Sequence, residues 1–255
     1  MYSGDAETMR RRIFDPATRA IAVCGGSYTG VEAVTQIQCA LRRAGRTLPV
    51  ILLNHGERTC RQLPSWMGRY IEANLERLRI EVRHHLTLDG LDGDTAVLSN
   101  GETLEHCLAV WTAGVRVPDV AATAGFPATP DGRLITDASL RLGERAYAAG
   151  DTAAFVREGK PARMSVQFAI MSGRAAARNT LRELAGRRPQ RFRPLDLGYI
   201  VPMANFRGCG IALGVPVRGA AAMLLHYTMC LYRTPGFRPR FRLARALCRA
   251  AATRG

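Results

Sequence analysis

The densest chemical signal in the chain is Ile21-Ala22-Val23-Cys24-Gly25-Gly26-Ser27-Tyr28-Thr29-Gly30-Val31-Glu32. Gly25, Ser27 and Gly30 stand in the frame of a G-x-G-x-x-G fingerprint, with serine in place of the middle glycine. In that pattern the first glycine makes a tight turn and the second lets the backbone approach a pyrophosphate. The third lets a helix pack closely on the preceding strand. The helix that follows offers unpaired N–H groups and the positive end of its dipole to phosphate oxygens. The chemistry indicated is diphosphate binding. A plain strand–helix turn is the bland alternative.

The elements needed to position this loop are readable around it. The apolar run Ile21–Cys24 fits a strand buried on both faces. Val31, Val34, Ile37 and Leu41 recur at helical spacing, predicting a helix from about Val31 to Arg43 with Gly45 as its C-terminal cap. Pro49–Leu53 reads as the next strand. Asn54 follows it at the position where an acidic residue would bond the adenosine ribose. Asparagine can still bond a ribose hydroxyl, and unlike a carboxylate it does not repel a 2′-phosphate, which Arg58 or Arg61 could attract. NADH and NADPH therefore both remain open, and Asn54 could equally do no more than cap the strand. Pro64–Leu78 predicts a helix with Trp66, Tyr70 and Leu78 inward, and Ile80–Val82 a short strand. The alternation from Leu86 to Leu104, with turns at Asp92-Gly93 and Asn100-Gly101, predicts a hairpin. Cys107–Thr112 reads as another buried strand, ending at Ala113-Gly114. Ala146–Ala149 is read as a strand ending in Gly150-Asp151, whose carboxylate could accept from ribityl or ribose hydroxyls or simply cap a helix. Arg163–Leu184 reads as a helix.

Other residue types narrow the function. Cysteines at 24, 39, 60, 107, 209, 230 and 248 contain no C-x-x-C, so neither a zinc site, a disulfide framework nor a thiol relay is indicated. Adjacent His84 and His85 would face opposite ways on a strand and could not chelate one ion together. No metal is expected. No signal-peptide core or membrane-spanning run is evident.

The assembled motifs resemble a known family. Gly25–Glu32, then Trp111-Thr112-Ala113-Gly114-Val115-Arg116, then Ala149-Gly150-Asp151-Thr152-Ala153, are similar in order and spacing to the type II NADH dehydrogenase branch of the two-dinucleotide-domain flavoprotein oxidoreductases. Leu225-His226-Tyr227 and Gly236-Phe237-Arg238 resemble that family's membrane-binding end. The resemblance implies an α/β chain: a Rossmann-like NAD(P)H-binding domain over 19–115 after a linker at 1–18, the second half of an FAD-binding domain over 116–190, and a helical membrane-associating tail over 191–255. It implies that Gly25, Gly26, Ser27, Tyr28, Thr29 and Gly30 cradle the nicotinamide dinucleotide, with Asn54 at the ribose and Ala113 and Gly114 lining the cleft. Gly150 and Asp151 would hold FAD. Glu32, near the nicotinamide and flavin rings, and Gln167, near a quinone entrance, are the catalytic candidates. Met171-Ser172-Gly173 stands where the family has Gln-Gln-Gly. The family's first FAD segment has no counterpart here, so the resemblance implies a truncated product or one piece of a split protein. A partner carrying the missing FAD-domain half, or a homo-oligomer, would then be needed. Without one, a nucleotide-binding fragment with no turnover is the alternative to an NAD(P)H dehydrogenase that passes electrons through FAD to a quinone-like acceptor.

Charge points to the other end of the chain. The net charge is +15, and Lys160 is the only lysine, an arginine bias that reads as coding composition as much as function. Its distribution is more telling: nine arginines and no carboxylate follow Asp196. Gly219–Leu231 is apolar but too short to span a bilayer. Phe241–Ala252 puts Arg242, Arg245 and Arg249 on one helical face and Leu243, Leu247 and Ala251 on another. Such a helix fits an anionic membrane surface. No nucleic-acid-binding motif accompanies it. A cytoplasmic protein held peripherally on the inner face of a membrane is expected.

Overall fold

The structure, a computed structural model, describes residues 3–115, 117, 125–157 and 160–252. Arg116 and much of the connector after it lie outside the described residues, as do the side chains of Arg249 and Ala251. The chain divides into two compact units, Met1–Ala113 with Leu197–Gly255, and Gly114–Asp196.

The first unit is built on a parallel sheet. Its strands are β1 (Ala20–Cys24), β2 (Val50–Asn54), β3 (Glu81–His84) and β7 (Cys107–Trp111), in the order β3-β2-β1-β7. β1 and β2 are buried along their whole length, as their unbroken apolar runs predict. From β1 the chain crosses to β2 on one side, and β7 returns to pair with β1 on the other. The crevice beyond the carboxyl ends of β1 and β7 is thus a topological switch point, where open α/β sheets place ligands. Between β3 and β7 an antiparallel meander of β4 (Leu88–Asp92), β5 (Thr95–Leu98) and β6 (Thr103–Leu104) fills the span read as a hairpin.

Helix α2 (Tyr28–Arg43) buries Val31, Val34, Ile37 and Leu41. It starts three residues before the first apolar repeat, because Ser27 is extended and the next turn is helical. In α3 (Ser65–Arg77) the fully buried stripe is Met67, Ile71 and Leu75, with Trp66 and Tyr70 packed at its rim. Aromatic size favours the inward reading of Trp66 and Tyr70, but the i, i+4, i+8 spacing of Met67, Ile71 and Leu75 decides which face turns inward. Helix α1 (Ser3–Phe14) is docked rather than solvated: Ile13 is buried in the core shared with α2 and β7. Arg46 donates to the carbonyls of Ile13, Asp15 and Thr18 at 2.7, 2.5 and 2.6 Å, fastening the link between α1 and β1.

Among the described residues the second unit holds three small strand pairs: β8 (Leu134–Ile135) parallel to β11 (Ala153–Ala154), β9 (Arg141–Gly143) with β10 (Ala146–Tyr147), and β12 (Val156–Arg157) with β13 (Lys160–Pro161). The strand read over Ala146–Ala149 stops at Tyr147, and Gly150-Asp151-Thr152 forms a 3₁₀ turn. Helix α4 (Val166–Leu184) begins after Ser165, whose hydroxyl accepts from the Phe168 N–H. Phe155 stands edge-on to Phe168 and Phe192 in this unit's core.

Residues 198–218, expected within a helical tail, instead form an antiparallel sheet of β14 (Gly198–Met203), β15 (Arg207–Ala212) and β16 (Val215–Arg218). Gly198, Pro202, Gly208, Gly210 and Pro216 disguise it as connector, although Pro216 sits on an edge strand where proline is tolerated. Val201, Met203 and Cys209 complete the same core as Ile71 and Leu75. Asn74 of α3 donates to Asn205 at 3.1 Å and accepts back from it at 2.7 Å, and the Ala204 N–H donates to Thr35 of α2. Helices α5 (Ala220–Arg233) and α6 (Phe237–Ala252) follow, α5 burying Ala222 and Met223. Among the described residues no helix is long and apolar enough to cross a membrane.

Met203 is fully buried against Asn74. Truncation by Met203→Ala is therefore expected to cost about 3 kcal/mol, read as a lower denaturant midpoint for the first unit. An unchanged midpoint would show that the sheet over 198–218 is not part of that core.

Candidate functional site

The loop after β1 is held by hydrogen bonds from three neighbouring segments. The Gly25 N–H donates to the Leu53 carbonyl at 2.9 Å, and Gly25 adopts φ +118°, closed to ordinary side chains. From β7, Thr112 donates its hydroxyl to the Cys24 carbonyl at 2.8 Å and more weakly to Gly25, while its N–H also reaches Cys24. A Cβ added to Gly30 would overlap the Gly25 carbonyl, so the third glycine is required for the helix to sit on the turn. The Cys60 N–H donates to the Gly26 carbonyl at 2.7 Å, drawing the loop after β2 over the turn. Ser27 precedes α2 and its hydroxyl does not cap the helix. The first-turn amides of α2 therefore meet no side-chain acceptor from Ser27, which suits a phosphate. Tyr28 packs edge-on to Tyr199 of β14, with centroids 6.2 Å apart, and Thr29 faces solvent.

Asn54 is buried, and both its amide hydrogens are committed. It donates to the Gly56 carbonyl at 2.8 Å and to His84 Nδ1 at 2.9 Å. Its oxygen packs where a Gly26 Cβ would lie. His84 must accept at Nδ1, which puts its proton on Nε2, 3.7 Å from Glu72 Oε1. Glu72 in turn accepts from the N–H and hydroxyl of Thr59, both at 2.9 Å. The ribose-position residue is thus the inner end of a chain Asn54–His84–Glu72–Thr59. Sequence spacing did not single out His84 or Thr112. His84 arrives by strand register, opposite Asn54. Thr112 had a sequence signal, a hydroxyl just past the end of a buried strand.

Glu32 lies just past the first turn of α2. It is solvent-accessible, yet neighbouring protein displaces enough water to raise its carboxyl pKa above 4.5. Ala113 closes the first unit, at contact distance from Gly25. Gly114 opens the second unit with φ +80°. There, the Gly150 N–H already donates to the buried Ser172 hydroxyl at 2.9 Å. Asp151 is exposed, with no protein partner among the described residues. Gln167 is buried and donates to the Leu195 carbonyl. The structure therefore gathers Gly25–Gly30, Glu32, Asn54 and Ala113 in one unit, and Gly114, Gly150, Asp151 and Gln167 in the other.

None of the seven cysteines is in a disulfide. Burial pushes Cys24 up to about 11 and Cys60 and Cys209 up to about 12, so these thiols stay protonated and unreactive at neutral pH. Among the described residues no cluster of His, Cys, Asp or Glu could hold a metal ion.

The family model described as pyridine nucleotide-disulphide oxidoreductase matches residues 2–173, most of both units. The chain belongs to this family. Within it, the chain is related to type II NADH:quinone reductases. It is 26% identical to the demethylphylloquinone reductase NdbB of Synechocystis sp., over 84% of this chain and 54% of that one. It is 24% identical to the type II NADH:quinone oxidoreductase of Haemophilus influenzae, over 80% of this chain and 49% of that one. The chain thus spans about half the length of the curated relatives it matches. Among solved structures, the ferredoxin reductase for the CYP199A2 system from Rhodopseudomonas palustris matches with TM-score 0.66 at 23% identity, covering 82% of this chain and 50% of that one. A covalent putidaredoxin reductase–putidaredoxin complex matches with TM-score 0.66 at 18% identity, covering 83% and 50%. These likenesses bear on the fold, an α/β Rossmann type with mixed sheets. The family's name notwithstanding, no disulfide joins the cysteines here.

Two outcomes follow from the loop. Gly30→Ala is expected to displace the turn and weaken NADH binding by about 100-fold or more, measured by fluorescence titration, since a lost anion cradle is worth several kcal/mol. Retained affinity would remove the loop from the site. For Glu32, a raised folded-state pKa contributes stability that is complete below the unfolded value of 4.5 and is lost as pH rises through the folded value. Glu32→Gln should therefore raise the thermal midpoint relative to wild type more at pH 7 than at pH 4.

Proposed function

We propose that the chain is the nicotinamide-binding part of an FAD-dependent NAD(P)H oxidoreductase that delivers electrons to a quinone-like acceptor. The observation that carries this reading is the glycine turn pinned at the β1/β7 switch point, followed by an α2 N-terminus that the Ser27 side chain does not cap. In this reading Gly25, Gly26, Ser27 and Gly30 receive the diphosphate, and Tyr28 and Thr29 flank it. Asn54, held by His84, shapes the adenosine end. Arg61, whose guanidinium has no protein partner among the described residues, is placed on the same loop to favour a 2′-phosphate. Ala113 and Gly114 border the nicotinamide end, with Glu32 as the carboxylate beside the reacting ring. Asp151 is the free acceptor for a ribityl or ribose hydroxyl, and Gln167 the amide on the acceptor side. Bound FAD supplies the coupling between a two-electron donor and the acceptor.

The names of the relatives support the quinone-like acceptor: one is a demethylphylloquinone reductase and another a NADH:quinone oxidoreductase. A location on the inner face of a membrane fits α6. There Phe237 and Phe241 are exposed and stacked, beside exposed Arg238, Arg242 and Arg245. Each arginine near an anionic surface is worth about 1 kcal/mol. A second reading, nucleotide binding without turnover unless a partner completes the flavin site, is favoured by one observation. The Gly150 amide is already satisfied by Ser172 and is not free for a cofactor.

Purified chain titrated with NADH and NADPH, with and without FAD and a soluble quinone, tests these readings. Binding of a nicotinamide nucleotide is expected, with quinone reduction only when FAD is present and sedimentation with anionic vesicles that Arg242→Glu with Arg245→Glu abolishes. Binding without turnover at saturating FAD selects the second reading, and no nucleotide binding ends both.

A further inference from the structure

At the far end of the parallel sheet lies a second concave site of a different kind. A cavity of about 480 Å³ is lined by Gln38, Arg42, Arg46, Thr47, Leu48, Arg77 and Arg79. It sits where α2 and α3 end and β2 has yet to begin. α2 has 16 residues, so it separates this cavity from the glycine loop by about 24 Å.

The lining contains four arginines and no carboxylate. Four arginines elsewhere are held by carboxylates: Arg83 by Glu81 and Glu102, Arg133 by Asp131, Arg141 by Glu183, Arg163 by Asp196. Here two are braced by neutral carbonyls. Arg42 donates to Leu78 O at 2.6 Å beside Gln38, which donates to the same oxygen at 2.8 Å. Arg46 spans the carbonyls of Ile13, Asp15 and Thr18. Arg77 and Arg79 have no side-chain partner among the described residues. Arg79 is held there by the turn that ends α3, at φ +56°, with its N–H on the Glu76 carbonyl. Glu76 itself lines a different surface cavity.

Attraction of arginine to helix C-termini does not account for this set. The ends of α2 and α3 each carry about −0.5 charge, so together they offset about one of the four positive charges. About +3 is left in one concavity. Guanidinium forks match phosphate oxygens in geometry. A phosphoryl group carries about −1.5 to −2, so two linked groups balance the remainder.

We propose that this cavity binds a soluble oligophosphate, two or more linked phosphoryl groups, at a site separate from the nicotinamide loop. Arg42 and Arg46 are the preset half, and Arg77 and Arg79 close on the ligand. The hydroxyl of Thr47 is the neutral donor within the lining.

The test is isothermal titration of the full chain with sodium pyrophosphate, sodium tripolyphosphate and ADP, with and without saturating NADH, beside the Arg77→Gln, Arg79→Gln double variant. Neither substituted side chain makes a structural hydrogen bond, and circular dichroism checks that the variant is folded. The expected result is saturable one-site binding of pyrophosphate or tripolyphosphate that NADH leaves unchanged and the double variant weakens at least tenfold. ADP binding tighter than pyrophosphate would mark a nucleotide's phosphates as the natural ligand, within the same proposal. The proposal is overturned by absence of saturable binding at millimolar anion, by equal affinity in the double variant, by competition with NADH, or by tighter displacement with a single-stranded oligonucleotide. The last outcome would make the patch a nucleic-acid track. None of these results depends on flavin binding or turnover.

Discussion

One hydroxyl fixes the geometry on which the glycine loop depends. Thr112, arriving from β7, bonds the carbonyls of Cys24 and Gly25 at the end of β1. That clasp joins the two strands that flank the switch point and holds the backbone turn in place. The turn in turn demands glycine at both ends: at Gly25 for its positive φ, and at Gly30 because any side chain would strike the Gly25 carbonyl. Backbone groups held from behind keep the turn in one geometry, which is the preorganisation an anion site needs.

The polar chain behind Asn54 works in the same way. A lone buried amide next to a glycine backbone would be free to rotate. Here two acceptors, Gly56 O and His84 Nδ1, spend both its hydrogens. Glu72 then orients the histidine from the far side. The oxygen of Asn54 is consequently the one polar atom of that side chain still able to accept, and its position is fixed by the network rather than by the strand alone.

The parallel sheet and the glycine loop were legible in the sequence, because both depend on local rules. An unbroken apolar run means a doubly covered strand, and a glycine fingerprint after it means a tight turn into a helix. The helical stripe of α2 was equally plain. What could not be read depended on partners distant in the chain. α1 resembled a charged linker because only Met9 and Ile13 make its apolar face. At α3 Leu78 is buried and Trp66 and Tyr70 pack at the edge of the core as read, but the central stripe was missed because two aromatics outweighed three aliphatics of correct spacing. The sheet over 198–218 was hidden by its glycines and prolines, and its burial depends on α2 and α3. His84 became part of the site only through its register with Asn54.

The amide pair Asn74–Asn205 joins positions 131 residues apart, and the whole second unit is inserted between them. Loop closure over such a span is entropically slow. During synthesis, α2 and α3 emerge long before β14 and β15 can cover them. The hydrophobic faces of Ile71 and Leu75 must therefore wait, bare, while more than a hundred further residues are translated. The nascent chain passes through a prolonged window in which it is a natural client for a holdase, and a message that stops early leaves a product unable to shut its own interior.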